Sequence, residues 1–259
     1  MLKFRLIARL DCRNAHLIKT IRLEGVRRVG DPNDYARRYD AEGIDELLYL
    51  DVVASLYGRN ALAGLVSQSA ASVFTPITVG GGIRSADDVQ TLFLAGADKV
   101  AVNTAAVKRP ALITEIAEKF GSQAIAVQID AKCKGNGWEA YCEGGRQPTG
   151  RDAIEWAQEA AGRGAGELLL TSIDREGTST GFDADLVGRF AGGVAVPVIA
   201  AGGFGRPEHA VEAAQAGVSG IAIAGALHYG RVGLSEIRAA LHGAGVPVRR
   251  AEEASCLSI

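Results

Sequence analysis

The sequence lacks the charge excess that would point to a polymer partner. Its 28 lysines and arginines nearly balance its 30 aspartates and glutamates, which gives a formal net charge of -2. The basic residues are also scattered, and this argues against a nucleic-acid surface or a polybasic membrane anchor. We therefore expect the partner to be a small molecule or another protein.

Cysteine is scarce and does not form a recognisable pattern. The four cysteines are Cys12, Cys133, Cys142 and Cys256. They form no C-x-x-C pair and no cluster with histidine, so the spacing supports neither a disulfide framework nor a structural zinc site. We predict reduced thiols and no bound metal.

Long apolar runs are missing as well. Lys3, Arg5 and Arg9 interrupt the N-terminal segment before a signal-like apolar core develops, and no run approaches the length that spans a bilayer. The sequence predicts a cytoplasmic protein without a membrane partner.

Eight short apolar runs of β type are present, at 4–11, 46–51, 76–80, 98–103, 124–130, 166–171, 196–201 and 219–224. Helix-length amphipathic segments lie between them, with Asp31 and Ser85 as two of the predicted N-caps. Strands that are apolar throughout, each followed by a helix, are typical of a parallel sheet covered by helices. Eight such units predict an α/β protein with a single (β/α)8 TIM barrel over residues 1–259.

An internal repeat divides this barrel into two parts. Residues 43–50 align with 164–171, 75–85 with 196–206, and 95–104 with 216–225. Each pair has the same offset of 121 residues, as from 43 to 164. A constant offset over three segments predicts two homologous half-barrels, approximately 1–122 and 123–250, with a short C-terminal tail at 251–259.

Two aspartates end equivalent apolar runs. Asp11 closes the first run and Asp130 the fifth, so both are expected at the mouth of the barrel, on opposite sides. Proton transfers to opposite faces of a bound molecule need two positioned groups, which favours a general acid and a general base. The alternative is that each carboxylate caps a loop or pairs with a nearby cation such as Arg9 or Lys132.

Glycine-rich turns follow the strands in both halves. Gly80, Gly81 and Gly82 precede one helix, and Gly202 and Gly203 precede its counterpart. Such turns expose backbone N–H groups at a helix N-terminus and suit phosphate. The neighbouring strands end in Asn103-Thr104 and in Ala224-Gly225. The pattern predicts a substrate with a phosphate at each end, and tight βα turns without a ligand are the alternative.

Two connections at the mouth are long. Residues 12–30 predict a lid loop whose cations, Lys19, Arg22, Arg27 and Arg28, engage phosphate or close over substrate. A solvated basic loop is the alternative. Residues 132–147 predict a small hairpin beside the mouth, in which Trp138 and Tyr141 serve packing.

Charged residues begin four of the predicted strands. Arg5, Glu46, Lys99 and Glu167 open the first, second, fourth and sixth runs. If these side chains point inward, they form a ring of alternating charge at the floor of the barrel. The period of two along the first strand places Arg5 and Asp11 on one face. Surface ion pairs are the alternative.

Several of these segments resemble one enzyme family. The segments "RLIARLD", "DELLYLD", "TVGGGIRS", "GADKVAVNTAA", "FGSQAIAVQIDAK", "GAGELLLTSIDREGT" and "IAAGGFG" are similar to the cyclase subunit of imidazole glycerol phosphate synthase. The resemblance extends to "VPVR" at 246–249 and so covers nearly the whole chain. It implies a lyase of histidine biosynthesis that joins ammonia to a ribulosyl aminoimidazole-carboxamide nucleotide, yielding imidazole glycerol phosphate and aminoimidazole-carboxamide ribotide.

The resemblance also implies roles for individual residues. Asp11 and Asp130 would be the acid/base pair. The substrate and its phosphates would be bound by Lys19, Gly82, Asn103, Thr104, Thr171, Gly177, Gly203, Ala224 and Gly225. The ring of Arg5, Glu46, Lys99 and Glu167 would gate ammonia from a glutaminase subunit in a heterodimer, with Asp98 at the subunit contact. No metal or organic cofactor is implied.

Some residues depart from the family pattern. Arg9 and Gln128 replace small residues and point inward by strand parity. The lid has atypical Thr20, Arg22 and Leu23, while Glu176 replaces an aspartate and Ala201 a serine. A buried Arg9 must be paired, with Asp11 or with Gln128 as its partner.

Two alternatives to the cyclase remain open from the sequence. The departures suit a cyclase-like paralogue that channels ammonia from a glutaminase to a sugar amidotransferase in surface polysaccharide biosynthesis. The isomerase of the preceding histidine step also has two aspartates and two phosphate sites. The charged floor, "DELLYLD" and "NTAA" fit that isomerase poorly.

Overall fold

The protein was described from a computed structural model that covers residues 3–13, 16–54 and 62–249. The predicted tail 251–259 and Cys256 lie outside the described residues. In the described part of the chain there are twelve strands, which in chain order are β1 Arg5–Arg13, β2 His16–Ile21, β3 Glu24–Gly30, β4 Glu46–Asp51, β5 Ile77–Gly80, β6 Lys99–Val102, β7 Ile125–Lys134, β8 Gly137–Cys142, β9 Gln147–Asp152, β10 Glu167–Ser172, β11 Val198–Ala201 and β12 Gly220–Ile223.

Eight of these strands form a closed parallel barrel. Their order around it is β1, β4, β5, β6, β7, β10, β11 and β12. The ring closes where Arg5 pairs with Gly220 in a parallel register. Each of the eight predicted runs supplies one barrel strand, so the (β/α)8 prediction is confirmed.

Helices cover the outside of the barrel. In chain order they are α1 Pro32–Ala41, α2 Ala63–Ala70, α3 Ala86–Leu94, α4 Thr104–Lys108, α5 Ala111–Phe120, α6 Ala153–Gly162, α7 Ala184–Gly193, α8 Pro207–Gln215, α9 Gly225–His228 and α10 Leu234–Gly243. Asp31 caps α1 by accepting from Asn33 N, and Ser85 forms a capping box with Asp88 at the start of α3. Both predicted N-caps are therefore confirmed.

The inside of the barrel is layered. On β1, Leu6, Ala8 and Leu10 belong to the core between strands and helices, whereas Ile7 belongs to a separate apolar layer inside the barrel. That inner layer also contains Leu48, Leu50, Ala101, Ala126, Leu169, Ile199, Ala201 and Ala222. Because every second side chain of a strand points to the same face, Ile7 lies between the inward-facing Arg5 and Arg9 of β1.

The predicted lid loop is wrong in its secondary structure. β1 continues past Asp11, and β2 and β3 form an antiparallel ribbon with it, beginning at the Cys12–Leu17 pair. Leu17 and Ile18 are buried, so the segment has an apolar face that holds it in the sheet. The turn of the ribbon contains Arg22 and Leu23, both with positive φ. The second connection is a hairpin as predicted, since β7 and β8 pair antiparallel.

Within the described ranges, no helix combines the length and the apolar character that a membrane span needs. The division into homologous halves at residue 122 stays a prediction from the repeat.

Candidate active site

The two aspartates lie opposite one another at the mouth. Asp11 is on β1 and Asp130 on β7, which are four strands apart in either direction around the ring. Each side chain is buried, with 1% of its surface exposed. The closure of the barrel therefore brings together two carboxylates that are 119 positions apart in the chain (130 minus 11).

Asp130 is held by neutral amides. Asn103 donates from Nδ2 to Oδ2 at 3.0 Å, and Gln128 donates from Nε2 to Oδ1 at 2.9 Å. Burial raises the pKa of Asp130, while the Gln128 hydrogen bond and the charge of Arg9 act in the opposite direction. A buried carboxyl with a raised pKa can carry a proton at a pH where an exposed aspartate is ionised.

Asp11 is held by a cation. Arg9 donates from Nε to Asp11 Oδ1 at 2.8 Å and from Nη1 to Thr171 Oγ1 at 3.1 Å. The side chain of Arg9 is 2% exposed, so this is a buried ion pair. The sequence left Asp11 and Gln128 as possible partners of Arg9. In the structure Arg9 binds Asp11, and Gln128 binds Asp130.

A cavity of about 370 Å³ lies on one side of the mouth. Its lining includes Gly82, Asn103, Thr104 and Asp130, so three of the candidate phosphate residues meet one aspartate there. The cations Arg13, Arg84, Lys108 and Arg146 also line it. Backbone N–H groups and surrounding cations suit an anionic group.

A second cavity of about 180 Å³ lies on the other side. Its lining includes five of the six remaining candidates for substrate and phosphate binding, which are Lys19, Gly177, Gly203, Ala224 and Gly225. Lys19 forms a buried ion pair with Glu176, which also lines the cavity. The longer glutamate thus reaches the lysine across this cavity.

The two cavities share Arg9 and Thr20 in their linings. Asp11 and Thr171 are predicted site residues that line neither cavity. Arg9 donates to both of them and itself lines both cavities. Both aspartates are equally buried, but Asp130 lines the larger cavity and Asp11 does not.

Gly203 supports the second cavity through its backbone. Its φ is +107°, and an added Cβ would lie 2.1 Å from the carbonyl oxygen of Gly181. We expect Gly203→Ala to lower the free energy of unfolding by about 2 kcal/mol or more and to weaken inorganic phosphate binding. Urea unfolding and calorimetric titration measure the two effects.

Gly188→Ala is the matched control for this substitution. Gly188 lies in α7, and an added Cβ would meet nothing within 4 Å. The control should be neutral or stabilising by about 0.5–1 kcal/mol, because alanine is the better helix former. Equal losses in both variants would contradict the assigned role of Gly203.

The four charged strand-start residues meet at the opposite end of the barrel. Arg5 Nη1 lies 2.9 Å from Glu46 Oε2, and Arg5 also pairs with Glu167. Lys99 Nζ lies 2.7 Å from Glu167 Oε2 and 3.5 Å from Glu46 Oε1. The side chains thus form one ring of alternating charge. Asp98, on the same end, is exposed and accepts from Ile77 N at 2.8 Å.

Sequence reasoning missed two residues of the mouth. Asp51 ends β4, is buried and lines the larger cavity, and burial raises its pKa. Its position at the end of an apolar run was the same signal that identified Asp11. Thr20 was noted only as atypical, and nothing in the sequence places it between the cavities.

Comparison with known proteins identifies the family. The sequence profile of the histidine biosynthesis protein family matches residues 5–233, which is most of the chain. The chain belongs to this family.

Three relatives show how far the similarity extends. A protein of Gluconacetobacter diazotrophicus is 49% identical over 250 residues, covering 96% of this chain and 97% of that protein. One of Legionella pneumophila is 56% identical over 209 residues, covering 80% and 99%. One of Thermococcus gammatolerans is 46% identical over 249 residues, covering 96% and 99%. Each is named imidazole glycerol phosphate synthase subunit HisF.

Proposed function

We propose that the chain is the cyclase subunit of imidazole glycerol phosphate synthase. In this reaction ammonia joins the ketose carbonyl of the ribulosyl aminoimidazole-carboxamide nucleotide. Ring closure and bond cleavage then give imidazole glycerol phosphate and aminoimidazole-carboxamide ribotide. The names of the relatives support this proposal, because each matched protein is a subunit of that synthase.

One observation carries the proposal. Two buried aspartates face each other across a mouth that is flanked by two cavities with glycine-rich linings. A molecule with a phosphate in each cavity would have its central atoms between the aspartates. Acid and base groups on opposite sides are what a ring closure with bond cleavage requires.

The two aspartates are unequal in this role. Asp130 lines the larger cavity and has a raised pKa, so it is the group that can donate a proton to substrate. Asp11 is paired with Arg9 and lines neither cavity. In the proposed mechanism Asp11 exchanges a proton only when Arg9 shifts, and otherwise it orients Arg9.

The charged floor supports an ammonia-delivering partner. We propose a glutaminase subunit that docks at the floor in a heterodimer, near the exposed Asp98, and releases ammonia at the ring. Ammonia would pass the apolar inner layer to the mouth, and the neutral molecule crosses such a layer far more easily than ammonium. A cytoplasmic location belongs to the same proposal.

The test is turnover of the ribulosyl nucleotide by the purified chain with ammonium salt at alkaline pH. We expect imidazole glycerol phosphate as product, without a partner subunit. If the chain binds a glutaminase but forms no product, the proposal fails and the ammonia-channelling paralogue becomes the better reading. The relatives reported above give that paralogue no support.

Glu167→Gln tests the floor ring. Glu167 pairs with both Arg5 and Lys99, and its neutral replacement leaves Lys99 with Glu46 at 3.5 Å. We expect glutamine-dependent turnover in the reconstituted complex to fall about tenfold, equal to about 1.4 kcal/mol. Turnover with ammonium salt should stay within about twofold of wild type, because the mouth is unchanged.

Glu42→Gln is the matched control, since Glu42 forms an exposed ion pair with Arg38 away from the ring. It should leave both activities unchanged. A parallel loss of both activities in Glu167→Gln would show a general structural defect rather than a defect in ammonia transfer.

A further inference from the structure

The junction between the two cavities is built by two residues that depart from the family pattern. Arg9 and Thr20 each line both cavities. Arg9 comes from the barrel strand β1, and Thr20 comes from β2 of the ribbon above it. Any molecule that fills both cavities at once must therefore pass these two side chains.

Arg9 is held at the junction through two of its three guanidinium nitrogens. Its Nε and Nη1 bind Asp11 and Thr171. Among residues 3–13, 16–54 and 62–249, the structure gives the remaining terminal nitrogen Nη2 no acceptor. The guanidinium is planar and is held at two of its nitrogens, so the direction of the third is fixed as well.

Thr20 has an unused polar atom at the same place. The residue is 5% exposed, and its Oγ1 is buried without a partner in the described part of the chain. A buried hydroxyl without a hydrogen bond costs free energy, and a bound group that reaches it would offset that cost. A hydroxyl can donate or accept, whereas Arg9 only donates.

The charges at the junction are already balanced. Arg9 is paired with Asp11, and Lys19, beside it in the smaller cavity, is paired with Glu176. A third anionic group would have to compete with these carboxylates. An uncharged oxygen, a hydroxyl or a carbonyl, can accept from Arg9 Nη2 and bind Thr20 Oγ1 without breaking either pair.

We propose that Arg9 and Thr20 form a subsite for a hydroxyl or carbonyl oxygen in the middle of a two-phosphate substrate, and that Asp11 holds Arg9 in place. The inference rests on the proposed function only in naming the substrate. It makes Arg9 and Thr20 substrate-contacting residues and makes Asp11 a positioning residue for Arg9.

The experiment is calorimetric titration without ammonia, so that no product forms. The probes are the ribulosyl nucleotide, ribulose bisphosphate as a second two-phosphate ketose, and inorganic phosphate. We expect Arg9→Gln to weaken nucleotide binding about 10- to 100-fold and Thr20→Val about 3- to 10-fold, as for loss of a charged and a neutral hydrogen bond. Inorganic phosphate should bind within about twofold of wild type in both variants.

Thr20→Val separates binding from folding. Valine has the shape of threonine, and the hydroxyl it removes has no partner in the described residues, so the variant should unfold at the urea concentration of wild type or higher. Thr91→Val is the matched control, because Thr91 lies on the exposed side of α3. A structural role alone would change unfolding and not nucleotide affinity.

Asp11→Asn tests the positioning role. If Asp11 holds Arg9, this variant should lose nucleotide affinity in the absence of chemistry, and combining it with Arg9→Gln should add little further loss. Unchanged nucleotide affinity in Asp11→Asn would overturn the positioning role. Unchanged affinity in both Arg9→Gln and Thr20→Val would overturn the subsite.

Failure of the proposed function gives a different result. Wild type would then bind ribulose bisphosphate but not the ribulosyl nucleotide. In that case the loss of ribulose bisphosphate affinity in Arg9→Gln and Thr20→Val would test whether the subsite exists. Binding of inorganic phosphate alone would overturn both proposals.

Discussion

Asp130→Asn is expected to lower kcat with ammonium salt by about 10³-fold, within the range that general acid–base groups contribute. Asparagine keeps the shape of the side chain and its contact with the larger cavity but cannot deliver a proton. KM for the ribulosyl nucleotide should change little, because the substitution leaves the candidate phosphate residues of both cavities in place. Steady-state kinetics over a range of nucleotide concentrations measure both quantities.

The same variant should remain folded, and its stability should show a defined pH dependence. Burial raises the pKa of Asp130 above its ordinary value of 3.8, so the folded protein holds this proton more tightly than the unfolded chain. The resulting stabilisation is fully present below the pKa that Asp130 has in the unfolded chain. It is lost as the pH rises through the pKa that Asp130 has in the folded protein. Asp130→Asn has no such pH-dependent loss. The difference in free energy of unfolding between this variant and wild type should therefore shift in favour of the variant as the pH rises from acid to neutral.

Urea unfolding at both ends of that pH range checks the sign. The control is Asp185→Asn, which changes an aspartate in the first turn of α7, away from the mouth. Asp152→Asn would not serve, because Asp152 caps α6. Retention of more than about a tenth of wild-type kcat in Asp130→Asn would remove Asp130 from proton transfer.

Asp11→Ala is expected to lower the free energy of unfolding by about 3–5 kcal/mol, the usual cost of breaking a buried ion pair from one side. The substitution leaves the Arg9 guanidinium buried with Thr171 as its remaining hydrogen-bond partner among the described residues. The pKa of Arg9 is raised, because neighbouring carboxylates outweigh the opposing effect of burial. Arginine keeps its proton in proteins, so Arg9 cannot relieve the cost by becoming neutral.

A double-mutant cycle isolates the pair. Arg9→Met fills a similar volume without charge, and Arg9→Met combined with Asp11→Ala removes both members. We expect the double variant to be more stable than Asp11→Ala alone. The coupling energy between the two positions should be about 1–3 kcal/mol. Strictly additive losses in urea unfolding would show that Arg9 and Asp11 do not depend on each other.

Much of the barrel was predictable, because its signals are local. Each apolar run of four to eight residues between helical segments became a strand, and the caps at Asp31 and Ser85 mark where two helices begin. The segment predicted as a lid loop is instead the ribbon of β2 and β3, and its closing over substrate stays a prediction. Leu17 and Ile18 are buried only because β2 pairs with the extended end of β1.

The ring of charges at the floor was predictable for a different reason. Strand parity fixes which side of the sheet a residue faces, and closure of the barrel then brings residues of the same layer together. Arg5 and Glu167 are distant in the chain, yet both begin barrel strands and face inward. The role of this ring in ammonia transfer stays a prediction.

The sequence by itself determined the eight strands, the two glycine-rich sites and the positions of Asp11 and Asp130, since each depends on the residue order within one βα unit. Only the tertiary structure decided how these units interact at the mouth. From the sequence, Arg9 could pair with Asp11 or with Gln128. Which of the two lies within hydrogen-bond distance of Arg9 is set only when the barrel closes. The closed barrel paired Arg9 with Asp11 and placed Arg9 and Thr20 in the linings of both cavities, while Asp130 lines the larger one.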